Sequence, residues 1–286
     1  MNDAGENREG LAAHDWAGQA GMRWLAQLDR FESMIEPIGR ALLAQAAYNA
    51  GETVVDVGCG GGWTTRQIAT AVGNTGFALG LDISPDLVGM ARERAQRAGL
   101  ANIRFEQGDA ATTMLEEAPF DRLFSRFGSM FFAEPYPAFA NLRRMLRDGG
   151  RLDIAVWAPI ADNPWQLSVM GIIKEHMDLP TPQSRAPGPF ALGEQDYVID
   201  LLQSAGFCEV RFDAWTGEQR VGGPGSDPES AARFVLEGMQ IGDLVRQNGA
   251  EVRKAIHQHL VELFERHCDE NGVHMGAKAW LVSARA

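Results

Sequence analysis

The sequence predicts an α/β fold, a mostly parallel sheet with helices on both faces, and three observations lead there. From Gly51 to Trp157 short apolar, β-branched runs alternate with segments of helical period, the signature of βαβ units. A glycine cluster, Asp56-Val-Gly-Cys-Gly-Gly-Gly62, stands between the first such run and the first helix. Carboxylates then close the next two strands, Asp82 and, within Gly108-Asp109-Ala110, Asp109. At 286 residues and 45% apolar content the chain can bury a core without disulfides. Its three cysteines, Cys59, Cys208 and Cys268, are too widely spaced for a disulfide framework or a zinc site. Acidic residues outnumber basic ones 38 to 26, and the net charge of −12 argues against nucleic-acid or anionic-membrane partners. No run approaches a membrane span and the acidic start, Met1 to Gly10, is no secretory signal, so a cytoplasmic protein is expected.

Taken in order, Thr53 to Val57 reads as a buried strand and Trp63 to Val72 as the helix after the glycine cluster. Phe77 to Leu81 is the second strand. Ser84 is a good N-cap, Pro85 suits a first helical turn, and Leu87, Val88, Ala91, Ala95 and Ala98 form an apolar stripe that Gly99 closes. Ile103 to Glu106 and Phe120 to Phe124 are strands, Ala138 to Leu146 a helix, and Arg151 to Trp157 a strand after the turn Asp148-Gly-Gly150. The proline-rich stretch Leu179 to Pro189 is a surface loop. Gln195 to Ser204 is an amphipathic helix leading into a strand at Phe207 to Ala214, and the last strand is Ala279 to Ser283. About 60 residues separate these two strands and hold two helices, one capped by Asp227-Pro228 and running to Ile241, the other Glu251 to Asp269.

The glycine cluster lets a ligand lie against bare backbone at a helix N-terminus. A dinucleotide fingerprint needs glycine at its first, third and sixth positions, and counted from Gly58 the sixth is Trp63. The pattern present is acid-x-Gly-x-Gly-x-Gly over Asp56, Gly58, Gly60 and Gly62, followed in order by Asp82, Asp109 and the fourth-strand stretch Phe120-Asp-Arg-Leu-Phe-Ser-Arg-Phe127. This series resembles the class I S-adenosylmethionine (SAM) dependent methyltransferases. Further stretches, Ser125 to Phe132, Phe139 to Arg144 and Asn163-Pro-Trp165, look like a bacterial subgroup related to the UbiE-type quinone-biosynthesis methyltransferases.

The resemblance implies a Rossmann-like sheet of seven strands, six parallel and one antiparallel, binding SAM at the carboxyl ends of the first four and releasing S-adenosylhomocysteine. It places Asp56, Gly58, Cys59, Gly60 and Trp63 around the cofactor loop and Asp82 with Ile83 at the ribose. Gly108, Asp109 and Ala110 fall at the adenine, and Ser125 with Arg126 at the methionine part. Asp82 could instead cap the helix at Ser84, a duty Ser84 already serves. Arg126 stands where many relatives carry Asn or His, and three roles stay open: a clamp on the cofactor carboxylate, a contact to the acceptor, or an ion pair with a neighbouring carboxylate. Cys59 reads as a packing residue rather than a nucleophile.

Methyl transfer to oxygen usually uses a base, and among six histidines none stands out; His14, beside Trp16 and Trp24, and Arg126 are the catalytic candidates. His257 and His259 point to different faces of a helix, so no metal site is expected. Trp63 and Tyr136 could offer an aromatic face to a sulfonium or simply pack. Residues 1–50 are expected as a helical lid and 51–286 as the catalytic domain, with covering insertions at about 158–193 and 216–276. The acceptor is expected to be a small, apolar or aromatic metabolite, with a SAM-binding regulatory or partner protein as the alternative. Monomer and homodimer both fit the sequence.

Overall fold

The computed structural model describes residues 13–180, 183 and 185–286, with backbone alone at 13 and 14; residues 181, 182 and 184 of the proline-rich loop lie outside the described residues. Eight strands form one sheet: β1 Thr53–Val57, β2 Phe77–Asp82, β3 Ile103–Gln107, β4 Phe120–Arg126, β5 Leu146–Trp157, β6 Cys208–Val221, β7 Cys268–Asp269 and β8 Gly272–Arg285. Their order is β3-β2-β1-β4-β5-β8-β6, with the short β7 paired to β8 off this path. β1 to β5 pair in parallel, and β8 runs antiparallel to both β5 and β6. The seven strands of the main path are therefore six co-directional and one reversed, as the resemblance implies. The inner strands are buried on both faces, which is why they read as continuous apolar runs rather than alternating ones.

Among the described residues three helices precede the sheet: α1 Ala13–Trp16, α2 Gln19–Ala26 and α3 Leu28–Ala46. Leu28, Phe31, Met34, Ile35, Ile38, Leu42 and Ala46 of α3 recur at helical spacing and are all buried. Arg122 of β4 and Arg151 of β5 donate to the carbonyls of Ala46 and Gln45, placing guanidinium groups at the negative end of α3 and fixing it to the sheet. The crossover helices are α4 Trp63–Val72, α5 Pro85–Arg97 and α6 Pro135–Arg144; α7 Pro164–His176 and α8 Gln195–Ser204 follow β5. The Ser84 hydroxyl accepts from the Leu87 amide at 3.4 Å, so the cap read from the sequence is present. Helix α7 falls in a stretch where periodicity suggested only covering segments. Among the described residues no helix is long and apolar enough to cross a membrane.

The last two strands depart from expectation. β6 continues to Val221 and β8 begins at Gly272, their ladder running from Cys208 opposite Arg285 to Val221 opposite Val273. Periodicity stopped them at Ala214 and Ala279, short of Gly217 and Gly276, residues of a kind that weakens a strand pattern. Gly217 is tolerated since a Cβ there would lie 2.9 Å from the Trp215 ring, so its bare backbone makes room for the indole. The covering insertion between the strands is thereby shortened to residues 222–271 and carries three helices: α9 Pro228–Gly238, α10 Ile241–Arg246 and α11 Ala250–Glu265. The Asp227 carboxylate accepts from the Ser230 amide at 2.6 Å and starts α9 where expected. β5 begins at Leu146 rather than after the Gly149-Gly150 turn, because Phe120 pairs Leu146 and Arg122 pairs Arg151, which leaves the residues between as a bulge.

Candidate functional site

The carboxyl ends of β1 to β4 converge on the glycine loop. Gly58 has φ +69° and a Cβ on it would fall 2.6 Å from the Gly128 Cα, so the loops leaving β1 and β4 touch backbone to backbone. The Leu81 carbonyl accepts from the amides of Gly58 at 2.8 Å and Cys59 at 3.2 Å. Asp82, almost fully buried, accepts from Gly60 N at 2.8 Å on one carboxylate oxygen and from Ser84 N at 2.9 Å on the other. Burial raises its pKa, and the amides of Ser84, Gly60 and Ile83 oppose the rise. The capping duty assigned to Ser84 is therefore shared by Asp82, whose two oxygens each keep a lone pair for a further donor. Ile83 is half-buried beside it.

Asp56 lies beneath the loop. The hydroxyls of Thr64 and Thr65 donate to its Oδ2 at 2.6 and 2.7 Å, while Oδ1 is buried with no hydrogen-bond partner. Burial pushes its pKa up to about 6 against the pull of the two hydroxyls and Arg126. Arg126 leaves the end of β4 and lies over the Trp63 ring at 5.1 Å; its Nη1 lies 2.8 Å from where a Cβ on Gly39 of α3 would stand. Nη1 too is buried without a partner, and among the described residues Arg126 makes no ion pair. Burial lowers its pKa, opposed by the carboxylates of Glu32, Asp56 and Glu36. Of the three roles open in the sequence, the neighbouring ion pair is thus not the one found. Two complementary unpaired atoms, one anionic and one cationic, thus lie at the ends of β1 and β4.

The third corner is built on Asp109. Its Oδ1 accepts from the Ala111 amide at 2.9 Å, and Asn141 of α6 donates to the carbonyls of Ala110 and Thr113, each at 3.0 Å. Gly108 N donates to the Asp82 carbonyl at 2.9 Å, tying the ends of β2 and β3 together. Ser125 is fully buried and donates to the Val57 carbonyl at 2.8 Å, so its hydroxyl braces β4 to β1 and is spent. Cys59 packs with Val88, Ala91, Ala95 and Phe105, and burial pushes its thiol well up, as fits a packing residue. Trp63 carries Arg40 as well as Arg126 against its ring, at 5.6 and 5.1 Å. Tyr136 is exposed and donates to Asp200 at 2.6 Å; it packs toward α8 and takes no part in the site. The His14 side chain lies outside the described residues.

The N-terminal helices pack against the glycine loop. A Cβ on Gly61 would stand 2.7 Å from Leu28 Cδ2 and 2.8 Å from Glu32 Oε1, and Arg94 of α5 pairs with Glu32 at 2.8 Å. Trp16 meets Trp24 at 5.5 Å and Phe131 at 5.0 Å; Trp24 stacks on Phe31 at 4.1 Å, and Phe31 meets Phe234 of α9 at 4.7 Å. Rings thus run from the loop after β4 to the insertion. On the sheet side Phe127 stacks on Trp157 at 4.4 Å, and Trp157 meets Trp165 of α7 at 5.7 Å. Within this aromatic layer the Trp16 and Trp165 indole nitrogens and the Ser129 hydroxyl are buried without partners. Gln219 is fully buried with both amide atoms unpaired, and the β5–β8–β6 register puts it on the same sheet face as Trp157. Sequence reasoning missed Gln219, Phe31 and Phe234; extending the alternation past Trp215 would have turned Gln219 inward.

The methyltransferase domain family matches residues 54–150, the segment that carries the loop, Asp82, Asp109 and Arg126. This segment is a class I, SAM-dependent methyltransferase domain. Among curated proteins, aklanonic acid methyltransferase DauC of Streptomyces sp. (strain C5) is 34% identical over 124 residues, 43% of this chain and 56% of that protein. Nocamycin O-methyltransferase of Saccharothrix syringae is 29% identical over 184 residues, 61% and 66% of the two chains. Demethylmenaquinone methyltransferase of Oceanobacillus iheyensis is 31% identical over 103 residues, 36% and 43%. The chain thus spans 43% to 66% of these relatives, and their similar identities single out no acceptor subgroup. The YcgJ protein of Bacillus subtilis superposes with TM-score 0.56 at 17% identity, covering 87% of this chain and 98% of that one. Phosphoethanolamine N-methyltransferase 2 of Haemonchus contortus, solved with S-adenosyl-L-methionine, gives 0.58 at 14%, covering 96% and 59%. Both likenesses bear on the fold around the methyltransferase domain.

Proposed function

We propose that the chain transfers a methyl group from SAM to a small, largely apolar or aromatic acceptor held beneath the N-terminal helices and the 222–271 insertion. The observation that carries this reading is the pair of buried, unpaired atoms Asp56 Oδ1 and Arg126 Nη1 at the ends of β1 and β4. Buried polar groups are nearly always paired, so each calls for a partner. The amino-acid end of SAM supplies both, an ammonium for Asp56 and a carboxylate for the Arg126 guanidinium. The spare lone pairs of Asp82 suit the two ribose hydroxyls, and the Asp109–Ala110 turn suits the adenine edge. The donor set therefore fits the cofactor, and Arg126 reads as its clamp rather than as a contact to the acceptor. When bound, SAM supplies an electrophilic methyl on a sulfonium.

The chain's own residues then orient and enclose. Trp16, Trp24, Phe127 and Trp157 exclude water from the mouth of the cleft, strengthening the electrostatics within it. The indole N–H of Trp165, the Ser129 hydroxyl and the Gln219 amide offer hydrogen bonds to a polar end of an otherwise flat acceptor. A net charge of −12 and the small-molecule acceptors in the relatives' names both favour a metabolite over nucleic acid. Three unpaired cysteines, two of them exposed, suit a reducing cytoplasm. The test is S-adenosylhomocysteine release in the presence of a panel of hydroxylated polycyclic aromatics, with product mass read for one added methyl. Turnover of one member supports the reading; S-adenosylhomocysteine binding with no product from any acceptor favours a SAM-binding regulatory protein, and no binding overturns both.

A further inference from the structure

Away from the cleft the fold brings together a second set of reactive side chains. His176 is the last residue of α7 and His259 lies in α11, 83 positions on, yet His176 Nε2 and His259 Nδ1 face each other at 2.9 Å with ring centroids 4.8 Å apart. Glu175 adds a carboxylate, and one ligand atom from each of the three lies within 4.8 Å of the others. Both imidazoles are half-buried and Glu175 is exposed, so the cluster opens to solvent on one side. The proposed methyl transfer makes no use of it. Trp165, at the opposite end of α7, is eleven residues and about 16 Å of helix away.

We propose that Glu175, His176 and His259 bind a divalent late first-row transition-metal ion of the zinc kind, which ties α7 to the insertion helix α11. Imidazole nitrogen with carboxylate oxygen is a donor set suited to zinc, copper and nickel and poorly suited to magnesium or calcium. The spacing agrees. Two nitrogens each about 2.05 Å from a metal stand about 2.9 Å apart at a right angle and about 3.3 Å apart at the tetrahedral angle. The observed 2.9 Å meets the first and needs a few tenths of an ångström for the second. The C-terminus of α7 carries the negative end of its helix dipole, which favours a cation there. The frame is already set by protein contacts, since Asn248 Nδ2 reaches Met177 Sδ at 3.3 Å and holds the end of α7 against the start of α11.

Without metal, one ring donates its N–H to the other. Metal uptake requires a lone pair on each facing nitrogen, so one ring changes tautomer and both protons reside on the outward nitrogens, His176 Nδ1 and His259 Nε2. With both lone pairs turned inward the ion is held between the two rings, and water completes the coordination. Periodicity could not show this site. Along its own helix the carboxylate one turn on from His259, Glu262, accepts from Gln258 at 3.1 Å, and His257 contacts Glu229 at 3.2 Å.

The test is zinc titration of the untagged, chelator-treated chain near neutral pH, by calorimetry and by thermal melting. One ion per chain is expected, with a melting rise of about 5 °C at about 100 times the dissociation constant. His176→Ala and His259→Ala should each weaken binding at least tenfold and remove the rise, Glu175→Gln should weaken it by a smaller factor, and His257→Ala should leave it unchanged. No stoichiometric zinc binding by the parent overturns the proposal whatever the variants do. Parental affinity retained in His176→Ala or His259→Ala overturns it equally. Neither readout involves methyl transfer, so the result is independent of the proposed function.

Discussion

Asp56 makes cofactor binding depend on acid in a way that can be worked out beforehand. Burial holds its folded pKa at about 6 against an ordinary 3.8, and only the ionised form offers Oδ1 to an ammonium group. The affinity for S-adenosylhomocysteine should fall by a factor of about ten between pH 8 and pH 5, which is about 1.4 kcal/mol. In the ligand-free protein the same group works in the opposite direction. A raised folded pKa contributes stability that is present below 3.8 and lost as pH rises through about 6, on the order of 3 kcal/mol from end to end. Calorimetry at four pH values, with circular dichroism to verify folding, measures the first effect; urea unfolding of the parent and Asp56→Asn across the same range measures the second. Asp56→Asn keeps an acceptor for Thr64 and Thr65 but carries no charge, so its affinity should be weaker at pH 8 and flat toward pH 5. An unchanged parental affinity from pH 8 to pH 5 would refute the reasoning. A slope that survives in Asp56→Asn would assign it to Asp82 or Glu32, the other carboxylates beside the loop whose pKa burial raises.

Three further outcomes are expected. Gly58→Ala should abolish cofactor binding and cost more than about 1–2 kcal/mol of stability, since the left-handed backbone strains any L side chain and the new Cβ meets Gly128; melting and S-adenosylhomocysteine titration check both. Arg126→Met should weaken S-adenosylhomocysteine by about 1.5–3 kcal/mol while leaving adenosine binding nearly unchanged, and Arg126→Lys should recover only part of the loss because it lacks the planar fork. Gln219→Leu should raise stability by about 1–3 kcal/mol, removing a buried amide with no partner, and should lower turnover without changing cofactor affinity; a less stable variant would show that the amide is satisfied.

What could be read from the chain alone follows the range of the interactions. Ser84 and Asp227 announce their helices because a cap bonds within three residues, and both are found doing so. The glycine loop and Asp82 were visible because strand, turn and helix fall in one stretch of sequence. That the Asp82 carboxylate is divided between Gly60 and Ser84 was not visible, since the bond to Gly60 joins residues 22 apart. Arg126 was legible as a position and not as a state: its missing partner is a property of α3 and α4 packed around it, and no local pattern records that. The long β6–β8 pair escaped for a different reason, two glycines masking an alternation that the Trp215 ring and the opposite strand enforce.

The placement of β8 between β5 and β6 has a consequence for how the molecule assembles. β5 and β6 never touch along their ladders; β5 has β4 on one side, but its other edge, like β6, is paired only when the last strand slides between them, 115 or more positions after β5 has ended. Until then two long strands present bare edges, the condition under which chains pair with the wrong neighbour. Contacts of such sequence separation are slow to form, so the pairing of β5 with β8 is expected late in folding. The 222–271 helices hang from the tip of that same late-forming ladder. Lengthening or shortening them changes the entropy of closing the loop only logarithmically, so the part of the molecule proposed to cover the acceptor can vary in size at little cost to the sheet beneath it.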